Sequence, residues 1–572
     1  MMESVKTQAV EPAALKRWEP ARYRKGAFLV CLSLANGCFS KAWKQLESNY
    51  YDYFLMPPVK VDVALNFLLG LLASIALVTL ALWCVYHLLS RLRFPQRTRL
   101  MALAFFGALA LSLNLIRTEF GLFSLKHPIA LVALAVTGLV IARWHMMLLR
   151  PVAMAVMLFS PLVVVQLASS LLHVARAAAF VEPSVAGRMP GVPDRRVIWI
   201  VFDELDQQLS FEKRPATLQL PALDAIREHS LYATNAHQSA NDTLLAIPSL
   251  LLGQTVTGAH VDGPSMLALT LEDGTRQAFP SRANIFSLLR SRGINAAIGG
   301  WYHPYCRLFS DSVSGCTWAA AESNMESIFS SLDPPVIKGA FHTMGLLARS
   351  AIARLPGTGM LGVKYSALTH APVPVRAKRQ IREYQTLYDA ASRYSVDSGF
   401  GFVFLHFPIP HHYGIFNPHT RQLEPDGNYF DNLALVDETL VGLRATLEQA
   451  GLWGSTTVLV TSDHSLRFFA DGSMEASDTT DSFFPPGTRS PRIPFLLKLA
   501  GQQAGVRYDP PFSSVLTRDL LLAILSGQVS TAAEAVQWLD SNRHRAPLAP
   551  VTRAAFPAHA LVPAISRRLS ES

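Results

Sequence analysis

Val197–Glu204 reads VIWIVFDE, six β-branched or aromatic residues that end abruptly in two carboxylates. A continuous apolar run of that length reads as a strand buried on both faces of a parallel sheet, since a half-exposed strand would alternate with polar residues. The same pattern recurs at Gly401–His406 (GFVFLH), Thr456–Thr461 (TTVLVT) and Ile493–Lys498 (IPFLLK). Helical patterns lie between them. Asn284–Arg292 leads into INAAIGG, and Tyr429–Ala450 places Leu433, Val436, Leu440, Leu443 and Leu447 on one face before Gly451. Alternating strands and helices predict an α/β domain with a mainly parallel sheet. Such sheets bind ligands beyond the carboxyl ends of their strands.

Polar clusters fall at those ends. Asp203 and Glu204 follow the first strand, and adjacent carboxylates repel unless a cation holds them. The plainer reading is a helix cap, since Asp caps well and LDQQL follows. Asp463 and His464 follow TTVLVT and offer a hard oxygen and a borderline nitrogen. That pair suits zinc or manganese, with magnesium or calcium as alternatives. In SANDTLLAIPSLLLG, Thr243 is a candidate nucleophile at the N-terminus of an apolar helix, a place that attracts anions. A cap formed by Thr243 or Asp242 is the equal alternative. In LHFPIPHHYG, His406, His411 and His412 follow the GFVFLH strand and are candidates for binding substrate, donating a proton or holding a second metal.

Working outward, hydrophobic residues make up 50% of the 572-residue chain, and apolar runs crowd the part before residue 182. Five segments there are candidate membrane spans: Gly26–Ser40, Val61–Leu89, Leu100–Ile116, Pro128–Ala142 and Pro151–Ala179. Positive charge sets the topology. Lys16, Arg17, Arg22, Arg24 and Lys25 precede the first span; Arg91, Arg93, Arg97 and Arg99 follow the second; Arg143 and Arg150 follow the fourth. Five spans put all three basic groups in the cytoplasm, whereas four would split them. The expected organisation is a cytoplasmic N-terminus (1–25), a membrane domain (26–181), a linker (182–196), an exported catalytic domain (197–546) and a tail (547–572). No cleavable signal peptide is expected, because basic, Pro-containing sequence fills the first 25 residues. The net charge of +9 lies in these flanks and in no aromatic-interleaved stripe, which argues against nucleic acid as a partner. Cys306 and Cys316, the cysteines beyond the membrane segments, are expected to form a disulfide in an oxidising compartment.

Taken in order, VIWIVFDE, LPALDAI, DTLLAIPSLLLG, FLHFPIPHH, YFDNLALVDETL, GLWGSTTVLVTSDH and RIPFLLKLAG resemble the alkaline-phosphatase/sulfatase superfamily. The resemblance is to its membrane-bound phosphoethanolamine and phosphoglycerol transferases in particular. It implies a bacterial-type inner-membrane enzyme whose catalytic domain lies outside the cytoplasm. Asp463 and His464 would hold a divalent metal, zinc first, together with Glu204 as in the transferases or Asp203 as in many hydrolases. Thr243, five residues before Pro248, would be the nucleophile and itself touch the metal, and His411 would bind substrate. The implied reaction moves a phospho-substituent from a phospholipid donor to a glycan or lipid acceptor of the cell envelope. Its rivals are a phosphoester or sulfoester hydrolase using the same site and a non-catalytic membrane scaffold. Sulfatases carry Cys or Ser two residues before the proline, where this chain has Ala246. Ser465, Leu466 and Arg467 stand where the transferases have Gly-Glu-Ser, which points to a separate branch.

Topology is directly measurable. Reporter fusions should place the Arg91–Arg99 loop inside the cell and residue 200 onward outside; a cytoplasmically active reporter after residue 200 would overturn the assignment.

Overall fold

The computed structural model describes residues 13–46, 53–54, 59–92, 95–96, 98–108, 151–281, 283–320, 340–341, 343–345, 347–348, 373–411, 413–467 and 490–548. The chain forms two compact units. One comprises Met1–Ser48, Pro57–Phe180 and Ile328–His370, the other Asn49–Met56, Val181–Ser327 and Ala371–Ser572.

The first unit is helical, with helices at Ala13–Cys38, Val59–Leu88 and Leu162–Ala178 among its described residues. Among the described residues two stretches are long and apolar enough to cross a membrane, Ala64–Leu88 and Pro151–Arg176, where the sequence suggested five. Gly26–Ser40 falls largely within Ala13–Cys38 but does not meet that standard. Its apolar core between Lys25 and Lys41 is 15 residues, only about 22 Å of helix against a hydrocarbon layer of about 30 Å. Leu100–Ile116 is represented by the shorter apolar helix Thr98–Ala108. Pro128–Ala142 lies outside the described residues. Leu77, Leu80, Leu158, Phe159, Val164 and Val165 on these helices are exposed. Water penalises that much uncovered hydrocarbon, and a lipid phase does not. Those two apolar helices suggest membrane anchoring.

The second unit is built on strands β1 (Arg196–Asp203), β2 (Leu231–His237), β3 (Val256–Val261), β4 (Leu267–Leu271), β5 (Arg276–Phe279), β6 (Ala296–Tyr302) and β7 (Gly315–Ala320). They are followed by β8 (Phe402–Pro410), β9 (Gly414–Asn417), β10 (Gln422–Gly427), β11 (Thr456–Ser462), β12 (Arg492–Lys498), β13 (Val506–Tyr508) and β14 (Phe512–Ser513). Nine of them make one sheet in the order β13-β2-β12-β11-β1-β8-β6-β7, with β14 also on β2; β3–β5 form a small antiparallel sheet and β9–β10 a hairpin. β1 runs parallel to both β11 and β8, β8 to β6, and β6 to β7. The expected mainly parallel α/β sheet is therefore present.

One strand departs from expectation. β12, whose apolar run resembles the others, is antiparallel to both β11 and β2. The reason is that an apolar run reports burial on both faces and carries no information about direction.

Alternation along β1 feeds two cores. Val197, Trp199 and Val201 pack with Leu250 of the helix Thr243–Leu252, Phe286 and Leu521; Ile198, Ile200 and Phe202 pack with Leu387, Val436 and Leu440. Each such side chain contributes about 2 kcal/mol by leaving water, so β1 is fixed from both sides. Cys306 and Cys316 are joined as a disulfide.

Candidate metal centre and nucleophile

Register brings the polar ends together. Phe202 lies opposite Ser462 of β11 and opposite Phe407 of β8, so Asp203 and Asp463 leave adjacent strands at the same edge. The Ser462 hydroxyl ties that corner: it accepts the Leu205 N–H at 2.9 Å and lies 2.7 Å from the carbonyl oxygens of Phe202 and His464. Asp463 Oδ1 accepts the His464 N–H at 2.7 Å and the Glu204 N–H at 3.3 Å. Ligand atoms of Asp203, Asp463 and His464 all lie within 4.8 Å of one another, and all three residues are buried.

The hydrogen bonds fix which histidine nitrogen carries the proton. His464 Nδ1 lies 2.9 Å from the Ser465 carbonyl, which can only accept, so Nδ1 bears the hydrogen. Nε2, the nitrogen left to bind a cation, then faces Asp203 Oδ1 and Asp463 Oδ2, each at 3.5 Å. Asp463 Oδ2 is buried without a hydrogen-bond partner among the described residues. Three electron-rich groups in a low-dielectric corner repel one another; a cation between them reverses the sign. Two carboxylates and an imidazole are a donor set that fits a divalent metal.

Thr243 completes the corner. Asp242 is the residue that caps the helix Thr243–Leu252, its side chain accepting the Leu245 N–H at 3.0 Å. Thr243 is the first helical residue, and its hydroxyl is not used as the cap. Instead Oγ1 lies 3.4 Å from Asp203 Oδ1 and 3.3 Å from His464 Nε2. The helix ends cleanly at Gly253, whose φ of 61° is left-handed. Its N-terminal residue, Thr243, lies beside Asp203 and His464, so the positive end of the helix dipole is at the edge where the carboxylates meet.

Glu204 takes a different direction from Asp203. Its φ of 65° is left-handed, a conformation that costs a non-glycine residue about 1 kcal/mol or more. Tyr429 holds it by donating its hydroxyl to the Glu204 carbonyl at 2.7 Å. The Glu204 carboxylate accepts Arg467 Nε at 2.7 Å, and Arg467 Nη2 reaches His411 Nε2 at 2.8 Å. Arginine only donates, so His411 is neutral with its proton on Nδ1. The left-handed turn is what sends two neighbouring carboxylates, both candidate ligands by sequence, to a histidine and to an arginine respectively.

His406 ends up deeper. Its Nδ1 lies 2.9 Å from the Trp301 carbonyl and 2.9 Å from the Tyr305 hydroxyl, while its buried Nε2 has no hydrogen-bond partner among the described residues. Burial pushes its pKa down to about 4, so it is neutral at pH 7. Gly300 admits the Tyr305 ring beside it, where a Cβ would collide. His412 lies outside the described residues.

Residues the sequence reading passed over also belong here. His303 follows β6 and contacts the Thr243 carbonyl through Nε2 at 3.2 Å. In the sequence, INAAIGG follows a helical pattern and ends in small residues, so no local pattern marks His303 as the polar residue beyond that strand. Arg467 carries no local signal, because its role depends on a turn that brings Glu204 to it.

Comparison with known proteins places the chain in a family. The protein-family model described as Sulfatase matches residues 195–517, more than half of the chain. No curated protein sequence matches it. Among solved structures, a sulfatase from Pseudoalteromonas sp. is similar at 15% identity over 59% of this chain and 68% of its own, with a TM-score of 0.39. The lipoteichoic acid synthase LtaP from Listeria monocytogenes gives 12% identity, 60% and 75% coverage and a TM-score of 0.36. The phosphonate monoester hydrolase of Agrobacterium radiobacter gives 12%, 58%, 74% and 0.35. Likeness at that level does not choose among their chemistries.

Substitution separates the two carboxylates. Asp463→Asn and His464→Ala should each abolish turnover and at least tenfold of metal affinity with the fold retained. Asp203→Asn should lower bound metal more than Glu204→Gln in elemental analysis of the purified protein. The reverse order would reassign the ligand.

Proposed function

We propose, from the premise that this chain belongs to the sulfatase family, that it transfers a phospho-substituent from a membrane phospholipid through a covalent Thr243 intermediate. Members of that superfamily are metal-dependent enzymes. The single observation that supports this reading is that Asp242 caps the helix and leaves the buried Thr243 hydroxyl facing Asp203 and His464.

Asp203, Asp463, His464 and the Thr243 hydroxyl would hold the divalent ion, zinc being the best match to a mixed oxygen and nitrogen set. When bound, such an ion lowers the pKa of a hydroxyl and offsets charge on transferring oxygens. Thr243 Oγ1 attacks the phosphorus of a lipid headgroup, the bond from phosphorus to the glycerol oxygen breaks, and diacylglycerol leaves with a proton. The headgroup phosphate, phosphoethanolamine or phosphoglycerol, stays on Thr243. N–H groups at the start of the helix Thr243–Leu252 stabilise its anionic oxygens. In the second half, the hydroxyl of an envelope glycan or lipid attacks the same phosphorus and Thr243 is released. The acceptor hydroxyl's proton passes to Thr243 Oγ1 as its bond to phosphorus breaks, and His411, oriented by Arg467, suits binding the acceptor or the headgroup. A membrane anchor and an exported catalytic domain would bring donor and acceptor to one membrane face. Ala246 stands where sulfatases carry the residue converted to their nucleophile, which is why a phospho-substituent is favoured over sulfate.

The intermediate is the test. Full-length protein given phosphatidylethanolamine or phosphatidylglycerol vesicles without acceptor should carry a mass increment on the Thr243 peptide that names the headgroup. Thr243→Ala should carry none and turn over nothing, while Thr243→Ser should retain a fraction. Full activity in Thr243→Ala would end the covalent mechanism. Rapid release of the headgroup to water would identify a hydrolase using the same site.

A further inference from the structure

Tyr53 and Phe54 sit, by sequence, between the apolar segments Gly26–Ser40 and Val61–Leu89, far from the catalytic residues. Both are nevertheless buried in the same hydrophobic core as Trp199 and Val201 of β1, and Asn49–Met56 belongs to the compact unit that contains the sheet. Phe54 packs edge-on to Tyr302 with ring centroids 5.2 Å apart, and the Tyr53 ring meets His303 at 5.9 Å. Arg307, fully buried and ion-paired to Glu182, donates from Nη1 to the Tyr53 carbonyl at 3.1 Å. Both the backbone and the side chain of Tyr53 are thus specified by the catalytic unit.

The polar contacts run from there to the nucleophile. His303 Nε2 lies 3.2 Å from the Thr243 carbonyl, an acceptor, so Nε2 must carry the hydrogen. His303 Nδ1 is then the lone pair, and it lies 2.7 Å from the Tyr53 hydroxyl, which donates to it. Without that donor the imidazole could hold its proton on Nδ1 instead, turning a lone pair toward the Thr243 carbonyl and repelling it. An outer partner that fixes a ring's tautomer and direction in this way is a recognised means of aiming an active-site group.

We propose that Tyr53 is a positioning residue of the catalytic unit: it sets the tautomer of His303, which in turn anchors the backbone of Thr243. A consequence is that the segment bearing Tyr53 lies on the same membrane face as the catalytic domain and completes its site. Thr243 as nucleophile is taken from the function proposed above; docking of the segment stands without it.

Two measurements on the full-length protein separate these parts. In a background with Cys31, Cys38 and Cys84 replaced by Ser, Phe54→Cys with Tyr302→Cys should be joined by a short bis-maleimide in intact membranes. Absence of that cross-link would overturn the docking and with it the proposal. Tyr53→Phe keeps the ring and removes the donor. Diacylglycerol release from phosphatidylethanolamine or phosphatidylglycerol vesicles should then show kcat lowered about tenfold, with KM and thermal midpoint almost unchanged, the scale of one lost buried hydrogen bond. Tyr53→Phe combined with His303→Gln should be no slower than His303→Gln alone. Wild-type kcat in Tyr53→Phe, or additive losses in the pair, would overturn the positioning role. If the wild-type protein releases diacylglycerol from neither lipid, the function proposed above falls, and the cross-link alone decides whether the segment is docked.

Discussion

Asp203 and Asp463 lie in one buried corner with His464 Nε2 facing both, and the catalytic unit is arranged around the repulsion of those two carboxylates. Carboxylates taken from water into a protein interior need positive charge nearby or they protonate. The surroundings hold the conflict in place rather than relieve it. Ser462 pins the ends of β1 and β11, the Glu204 amide steadies Asp463, and the Ser465 carbonyl keeps the His464 proton on the far nitrogen. Each of these contacts would be purposeless in a corner meant to stay uncharged. They make sense as the support of a cation site.

Around that corner the charged and neutral groups are kept apart. Glu204, next in sequence to Asp203, is turned away by a left-handed backbone and paired with Arg467. The histidines are kept neutral by burial or by their partners: His303 is pushed down to about 3, His406 to about 4, and His411 accepts from arginine. Neutral imidazoles accept or donate single hydrogen bonds without adding charge to a site already dominated by carboxylates. Thr243 is then the one hydroxyl facing both Asp203 and His464 among the described residues, at a helix start that welcomes an anion.

The two units differ in the surroundings they suit. Helices with exposed leucine, valine and phenylalanine suit lipid, whereas the sheet buries apolar side chains on both faces. A lipid donor would link them chemically, because its headgroup is polar and its leaving group stays in the bilayer. Tyr53 and Phe54, although they lie in sequence between helices of the first unit, are part of the core of the second.

Sequence by itself determined the central strands, the α/β class and the strand-end pairs, because burial on two faces and abrupt polar termini are local patterns. VIWIVFDE and TTVLVTSDH needed no coordinates to be read as buried strands of one sheet with polar ends. It could not orient β12, since apolarity is blind to direction, nor choose between Asp203 and Glu204, since that depends on one backbone angle. Whether Thr243 or Asp242 capped the helix was open until the Leu245 N–H was seen to choose Asp242. His303, Arg467 and above all Tyr53 were decided by tertiary structure alone. Their partners lie 60, 263 and 250 residues away in the chain, and contacts that distant arise only from how the sheet and its surrounding core are assembled.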